Sequence, residues 1–144
     1  MGKLKEINGS YYESDYEYAL IELLRKEGWI YTFGNNVKRE HKTDVLIEND
    51  LLSFLRRTNK DLTDDEISSI SNSIKVIGGT TDFVTLHKFY KLSIDGLKFI
   101  THVGGVRMIN LIDFENPKNN IFKVVNQFEV EYVDNGNKKL RIPD

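Results

Sequence analysis

The chain has 144 residues, enough for one domain with its own core and too few for a multidomain machine. Its 40% hydrophobic and 29% charged residues are ordinary for a soluble protein, and a net charge of -2 argues against general coating of nucleic acid. The absence of cysteine excludes disulfides and thiolate zinc sites, and no stretch has the length of a membrane span.

The first periodic segment, SDYEYALIELLRKEGW, predicts a helix that ends at Gly28. Ser14 and Glu17 have the spacing of a capping box at its start. Residues 29–33 then predict a short strand, and GNNVKREHKTD predicts a polar, basic loop. The apolar stripe predicted for the helix consists of Tyr16, Ala19, Leu20, Leu23 and Leu24.

The middle of the chain, from Leu46 to about Asp95, is predicted to be a helical section made of several short elements. Thr63 and Glu66 again have capping-box spacing. This section carries almost no residues suited to chemistry, so we expect it to serve mainly in packing. One face of its last helix is predicted to carry Phe83, Leu86, Phe89 and Tyr90.

After Asp95 the pattern changes to runs of β-branched and aromatic residues, GLKFITHV, GVRMINLIDF and NIFKVVNQFEVEYV. In the last run the even positions from Phe122 to Tyr132 are mostly apolar, which predicts a continuous strand with one buried face. Asp113, just before the turn FENPKNN, is expected to hydrogen-bond turn backbone rather than a ligand.

A turn at VDNGN joins this run to a final strand that ends in KKLRIPD. A two-residue loop at Asn135–Gly136 would place Val130 opposite Arg141 and mix the two sheet faces. A three-residue loop over Asp134–Gly136 would place Val130 opposite Leu140. Because strand side chains alternate with a period of two, matching the apolar residues favours the three-residue loop.

That register would place Asp144 opposite Asn126, on a sheet face that the first helix could cover. Glu17 is the best candidate for a second carboxylate there. Two carboxylates with water and a substrate phosphate suit Mg²⁺, which can activate a water and stabilise charge on a phosphodiester. Pro-Asp is also common in turns, so the dipeptide is a weak signal by itself.

Most catalytic motifs are absent: the sequence contains no GxxxxGK[ST], GxGxxG, HExxH or GxSxG. The histidines lie far apart in the sequence, so a shared metal site is not expected. We expect His41 to be solvated in its loop, His87 to lie on the solvent side of a helix, and His102 to be ordinary.

Three stretches resemble the N-terminal part of the restriction (R, endonuclease) subunit of type I restriction-modification enzymes. ESDYEYALIELLRKEGWIYTFG resembles the family's opening helix, LLSFLRRTNKDLTDDEI its helical insertion, and VRMINLIDFENPKNNIFKVVNQFEVE with RIPD the run into its nuclease core. The resemblance implies a PD-(D/E)xK nuclease: an α/β fold with a restriction-endonuclease-like mixed sheet flanked by helices. Residues 1–144 would then be the N-terminal portion of a nuclease domain.

The resemblance also implies the site residues. In the family, the Pro-Asp strand is followed by a strand with an acidic residue and a lysine that complete the catalytic site. Since the sequence ends at Asp144, we expect a truncated piece, incomplete at its C-terminal side and inactive alone. Asp144 matches the family's catalytic, metal-binding aspartate. Glu17 matches an acidic first-helix position that supports the metal, although its spacing favours the capping role.

DNA phosphates require only positive charge within reach. The basic segment 38–42 is expected to be a solvated loop. Ile142 stands where the family often has a basic residue, which weakens the expectation of a continuous basic rim. The DNA-binding candidates on the final hairpin are Lys138, Lys139 and Arg141.

The polar N-terminus has no apolar segment for export, so the cytoplasm is the expected location. By resemblance, the parent subunit would be a Mg²⁺-dependent nuclease that cleaves double-stranded DNA after ATP-driven translocation. Its partners would be modification (M) and specificity (S) subunits, with ATP bound outside these residues and no membrane involved. The alternative is a non-catalytic module whose helices dock those subunits, which an exposed apolar patch would favour. An exposed sheet edge near Asp144 also predicts an edge-strand dimer.

Overall fold

A computed structural model describes residues 12–78 and 81–143 and confirms a mixed α/β chain. No helix in these two ranges is long and apolar enough to cross a bilayer. Short 3₁₀ turns lie at Gly34–Asn36 and Pro117–Asn119. The main elements are α1 (Glu13–Lys26), β1 (Ile30–Phe33), α2 (Glu48–Thr58), α3 (Asp64–Lys75), α4 (Asp82–Asp95), β2 (Leu97–Ile100), β3 (Val106–Ile109), β4 (Lys123–Asn126), β5 (Val130–Asp134) and β6 (Asn137–Arg141).

The strands pair as a parallel sheet, β1 with β4, and two antiparallel sheets, β2 with β3 and β5 with β6. The chain divides into two compact units. In the described part of the chain, the first unit combines residues 12–37 with 122–143, and the second comprises residues 38–78 and 81–121. The predicted helical section corresponds to α2, α3 and α4 and lies wholly in the second unit.

Helix α1 ends as predicted and begins differently. At its end Gly28 has φ 91°, and the N–H of Trp29 reaches back to the carbonyl of Leu24 at 3.0 Å, a Schellman motif that requires a residue with positive φ. At its start the Asp15 carboxylate accepts the N–H of Tyr12 at 3.0 Å. The predicted cap at Ser14 is therefore wrong, because Ser14 already lies within the helix.

Most of the apolar stripe predicted on α1 is exposed in the structure. Ile21 is the buried residue of the helix, whereas Leu20 and Leu23 are each 56% exposed. The helix carries apolar residues around most of its circumference, so periodicity alone did not identify the face that packs.

The predicted long strand over residues 120–133 is interrupted. Gln127 has φ 53°, a left-handed conformation that ends β4, and β5 begins at Val130. Phe122 and Tyr132, predicted on the buried face, are 43% and 42% exposed. The alternation in the sequence therefore did not correspond to one strand, because a single left-handed residue breaks the period of two.

The predicted register of the final hairpin is wrong. Val130 pairs with Arg141, and the loop is the two-residue Asn135–Gly136 turn with φ 49° and 79°. Positive φ at both positions defines a type I′ turn, whose twist matches that of the paired strands. Every residue of β6 is exposed, so no buried face could impose the apolar match. The position predicted for Asp144 depended on that match, and Asp144 itself lies outside the described residues.

The second unit has a hydrophobic core built from one face of α3 and the elements around it. The capping box predicted at the start of α3 is confirmed. Thr63 Oγ1 accepts the N–H of Glu66 at 3.2 Å, and Glu66 Oε2 accepts the N–H of Thr63 at 2.9 Å. The buried core residues are Phe54, Leu55, Ile67, Ile70, Ile74, Leu92 and Ile109.

Candidate functional site

Glu17 lies on α1 and is half-buried in the first unit. Its capping role is excluded, since Asp15 occupies that position at the helix start. Its carboxylate Oε1 instead accepts a long hydrogen bond, 3.5 Å, from the side-chain amide of Gln127. The acidic residue that the resemblance selects therefore has a long, exposed contact with a residue 110 positions away, and no capping contact within its own helix.

Two contacts hold the backbone around Gln127. Gly34 is buried, and a Cβ added to it would lie 2.1 Å from the Gln127 carbonyl oxygen, so only glycine fits against this segment. The Tyr31 hydroxyl lies 3.0 Å from Asn126 Oδ1 and fixes the preceding residue. Tyr31 and Asn126 belong to the paired strands β1 and β4. The pairing of these strands therefore also fixes the position of the bend at Gln127, directly after β4.

Two of the three DNA-binding candidates form ion pairs on the hairpin. Lys138 Nζ lies 3.1 Å from Glu131 Oε1, and Lys139 Nζ contacts the Asp134 carboxylate. Such exposed pairs contribute little to stability, so a phosphate could displace either carboxylate at small cost. Arg141 is exposed on β6.

The described ranges contain no cluster of three histidine, aspartate or glutamate side chains able to hold a metal. Glu17 and Lys139 have different partners in the described part of the chain. Glu17 contacts the side-chain amide of Gln127, and Lys139 contacts the carboxylate of Asp134. The Glu17 carboxylate has the oxygen chemistry that Mg²⁺ prefers. It fits one ligand of such a site, and a complete site needs Asp144 as well.

Glu66 and His102 form a partly buried contact that sequence reasoning missed. The Glu66 side chain is 7% exposed, and its Oε1 accepts the N–H of His102 at 2.9 Å and faces His102 Nδ1 at 2.8 Å. The Thr63 N–H and then these two contacts lower the pKa of Glu66 to about 2. The contact joins residues 36 apart in the sequence, and no local pattern signals it.

The other histidine predictions are confirmed. The His41 side chain is 71% exposed in its loop, and His87 is exposed on α4 with its ring stacked on Phe83. Both side chains therefore face solvent, as predicted.

Asp113 has the turn role expected of it. Its Oδ1 accepts the N–H of Asn116 and its Oδ2 accepts the side-chain amide of Asn119, both at 2.8 Å. The Asn119 amide and then the Asn116 N–H lower the pKa of this carboxyl. Both oxygens serve the turn that precedes β4, which supports the structural interpretation over a ligand role.

A cavity of about 690 Å³ lies in the second unit between the segment 38–49, α3 and α4. Lys75 Nζ contacts Glu48 Oε2 at 2.6 Å at this cavity, and this pair lowers the pKa of Glu48. Its charged lining is of mixed sign, with Arg39 and Lys38 opposed by Asp44 and other acids. It therefore lacks the uniform positive field that favours phosphate binding.

Comparison with known proteins gives the class. The chain belongs to the family described as the type I restriction enzyme R protein N terminus, whose model matches residues 10–144. It is 33% identical over 138 residues to a protein of Methanocaldococcus jannaschii provisionally named type I restriction enzyme MjaIXP endonuclease subunit. It is 29% identical over 142 residues to the type I restriction enzyme HindI endonuclease subunit of Haemophilus influenzae.

These alignments cover 89% and 92% of this chain. The chain spans only 13% of the length of each relative. Membership of the family is thus established for nearly all of this chain, while most of each relative has no counterpart in it.

Proposed function

We propose that this chain is the N-terminal part of the nuclease domain of a cytoplasmic type I restriction endonuclease subunit, a site-specific deoxyribonuclease. The observation that carries the proposal is the family match over residues 10–144 together with two relatives that are named endonuclease subunits. The reaction would be Mg²⁺-dependent cleavage of double-stranded DNA.

In this proposal, Asp144 and Glu17 supply carboxylate oxygens to Mg²⁺. The bound ion would lower the pKa of a water and stabilise charge on the phosphodiester. Lys138, Lys139 and Arg141 would contact DNA phosphates, which gives affinity without sequence preference. The exposed position of all three on β6 supports this role, because nothing buries them away from a DNA backbone.

The rest of the proposal concerns the parent assembly. Cleavage would follow ATP-driven translocation in a complex with modification and specificity subunits, with ATP bound outside these 144 residues. The 144-residue chain alone would be inactive, because the acidic residue and lysine that the family places after Pro-Asp are not in it. We also expect an edge-strand dimer of the isolated chain through β6, which light scattering would detect as a doubled mass.

Plasmid cleavage tests the proposal. The full-length subunit, assembled with its partners and supplied with ATP and Mg²⁺, should linearise plasmid DNA. Asp144→Ala and Glu17→Gln should abolish this. Glu22→Gln is the matched control, since Glu22 lies on the same helix and only forms an exposed pair with Arg25 at 2.8 Å. Full cleavage by the Asp144 variant would refute the proposal.

Fragments provide the second arm. The 144-residue chain should not cut DNA, whereas a version extended by about 40 residues, long enough to add a strand and a helix, should gain Mg²⁺-dependent cutting. If the extended version neither cuts nor binds the metal, and the full complex is also inactive, the Pro-Asp sequence is a turn and the nuclease assignment fails.

A specific observation favours a second candidate, the docking module. One face of α4 exposes apolar side chains at helical spacing, and a contiguous apolar surface often marks a binding site. Leu86→Glu in the full-length subunit should then impair assembly with the M and S subunits, while Val103→Glu, also highly exposed in this unit, should not. The exposed α4 residues are Phe83 (76%), Leu86 (69%), Tyr90 (64%) and Ile94 (51%).

A further inference from the structure

Gln127 has a backbone conformation that its residue type does not favour. A φ of 53° is left-handed, a region that glycine adopts freely and that residues other than asparagine and aspartate seldom adopt. Such a conformation persists only where surrounding structure determines it, and these residues concentrate at functional sites. A glycine or asparagine would adopt it more easily.

The surrounding structure that holds this conformation is identifiable. The backbone of Gly34 lies so close that a Cβ there would be 2.8 Å from the Asn126 carbonyl oxygen and closer still to that of Gln127. Tyr31 fixes Asn126 from the neighbouring strand at 3.0 Å. The bend at the end of β4 is therefore fixed by β1 and the turn after it, and both belong to the same unit.

The result of this bend is a contact with the proposed metal ligand. The amide Nε2 of Gln127 reaches Glu17 Oε1 at 3.5 Å, across 110 residues of sequence. Glu17 needs such a partner, because neither a helix cap nor an ion pair orients its carboxylate in the described part of the chain. One oxygen held by an amide leaves the other for a cation, and hydrogen bonds of this kind are often long before the metal and substrate bind.

We infer that Gln127 is a positioning residue, whose left-handed backbone and side-chain amide orient the Glu17 carboxylate for Mg²⁺. The inference rests on the proposed function, since it assumes that Glu17 supports the metal. It adds a residue that acts through Glu17 and does not itself touch DNA or the metal. Hydrogen-bond partners of metal ligands typically account for about 10–100-fold in metal affinity or activity.

The test uses two substitutions in the full-length, assembled subunit. Gln127→Asn keeps an amide and suits the left-handed backbone, but it is one methylene shorter and cannot span to Glu17. Gln127→Gly removes the amide and relieves the backbone. Each should raise both the Mg²⁺ concentration for half-maximal plasmid cleavage and the Mn²⁺ dissociation constant, measured by electron paramagnetic resonance without DNA, about tenfold.

Thermal unfolding separates positioning from folding. Gln127→Asn should melt at or above the temperature of the natural sequence. Gln127→Gly should melt close to it, because the relief of backbone strain is offset by the greater entropy of the unfolded chain. The inference is overturned if either variant retains the original metal dependence, or if loss of metal binding is accompanied by a lower melting temperature. If Glu17→Gln leaves cleavage intact, the metal role of Glu17 fails and this inference fails with it. If Glu17→Gln abolishes cleavage and the Gln127 variants are normal, only the inference fails.

Discussion

Gly34→Ala tests the close approach between Gly34 and the backbone of Gln127 at the candidate site. The new Cβ would lie 2.1 Å from the Gln127 carbonyl oxygen, and real Cβ atoms essentially never approach within 3.0 Å, so the backbone must withdraw by about 0.9 Å. Overpacking of this kind costs about 1–3 kcal/mol. Against this, replacing glycine with alanine lowers the entropy of the unfolded chain and restores about 0.4–1 kcal/mol. The variant should therefore lose up to about 2.6 kcal/mol of unfolding free energy, with a central value of about 1.3 kcal/mol.

Urea unfolding measures this loss. With a slope of about 1.5 kcal/mol per molar urea, the midpoint should fall by roughly 1 M. Trp29 is the sole tryptophan, and its ring packs 5.3 Å from that of Phe122, so its fluorescence reports on the unit that contains Gly34. Circular dichroism follows the whole chain in the same titration.

Gly78→Ala is the matched control. It has the same effect on the unfolded chain, but its Cβ would meet nothing within 4 Å, and its φ is not in the left-handed range. Its midpoint by circular dichroism should stay unchanged or rise. The two substitutions thus differ in the sign of the effect. An unchanged or raised midpoint for Gly34→Ala would refute the close approach and remove the support for the conformation of Gln127.

Two further predictions concern the second unit. Leu55 is fully buried, so Leu55→Ala should lower the unfolding free energy by about 2–5 kcal/mol, whereas Leu86→Ala, at an exposed position, should stay within about 0.5 kcal/mol; equal losses by urea titration would contradict the described core. The pKa of Glu66 is held at about 2, below its ordinary 4.5, so the stabilisation by its hydrogen bonds is present above pH 4.5 and is lost as pH falls toward 2. Glu66→Gln should flatten the fall in melting temperature over this range, and identical slopes would contradict the contact with His102.

Local signals were predicted well because the residues that produce them lie within a few positions of each other. The capping box of Thr63 and Glu66 and the helix end at Gly28 each depend on one turn of chain. At α1 the predicted N-cap, Ser14, lies two residues after the observed one, Tyr12. The Asp15 carboxylate accepts the Tyr12 N–H, whereas Ser14 lies within the helix. Helix boundaries are ambiguous wherever polar residues follow closely on one another.

The prediction of the hairpin register was wrong for a different reason. Matching Val130 with Leu140 assumed that one face of the hairpin is buried, and burial is a property of the whole fold. Because every residue of β6 is exposed, the turn alone set the register, and Asn135–Gly136 prefers the two-residue type I′ geometry. The turn signal was in the sequence, but it was outweighed by an apolar match that has no energetic basis on an exposed surface.

The candidate site combines both kinds of information. The resemblance selected Glu17, and its spacing from Ser14 suggested a cap that the structure excludes. No sequence pattern could select Gln127, because a left-handed glutamine has no local signature and its partner is 110 residues away. The structure identifies it through the missing Cβ of Gly34, a constraint that involves two segments at once.

Because Glu17 does not cap α1, its carboxylate does not stabilise the helix in that way. A capping carboxylate would stabilise the helix and would need no further explanation. Instead, the partly exposed carboxylate lies 3.5 Å from the side-chain amide of Gln127, a residue whose unfavourable backbone conformation costs stability. Local rules are broken in folded proteins mainly where function requires it. The left-handed conformation of Gln127 and its contact with Glu17 are therefore the reason to measure metal affinity in the Gln127 variants.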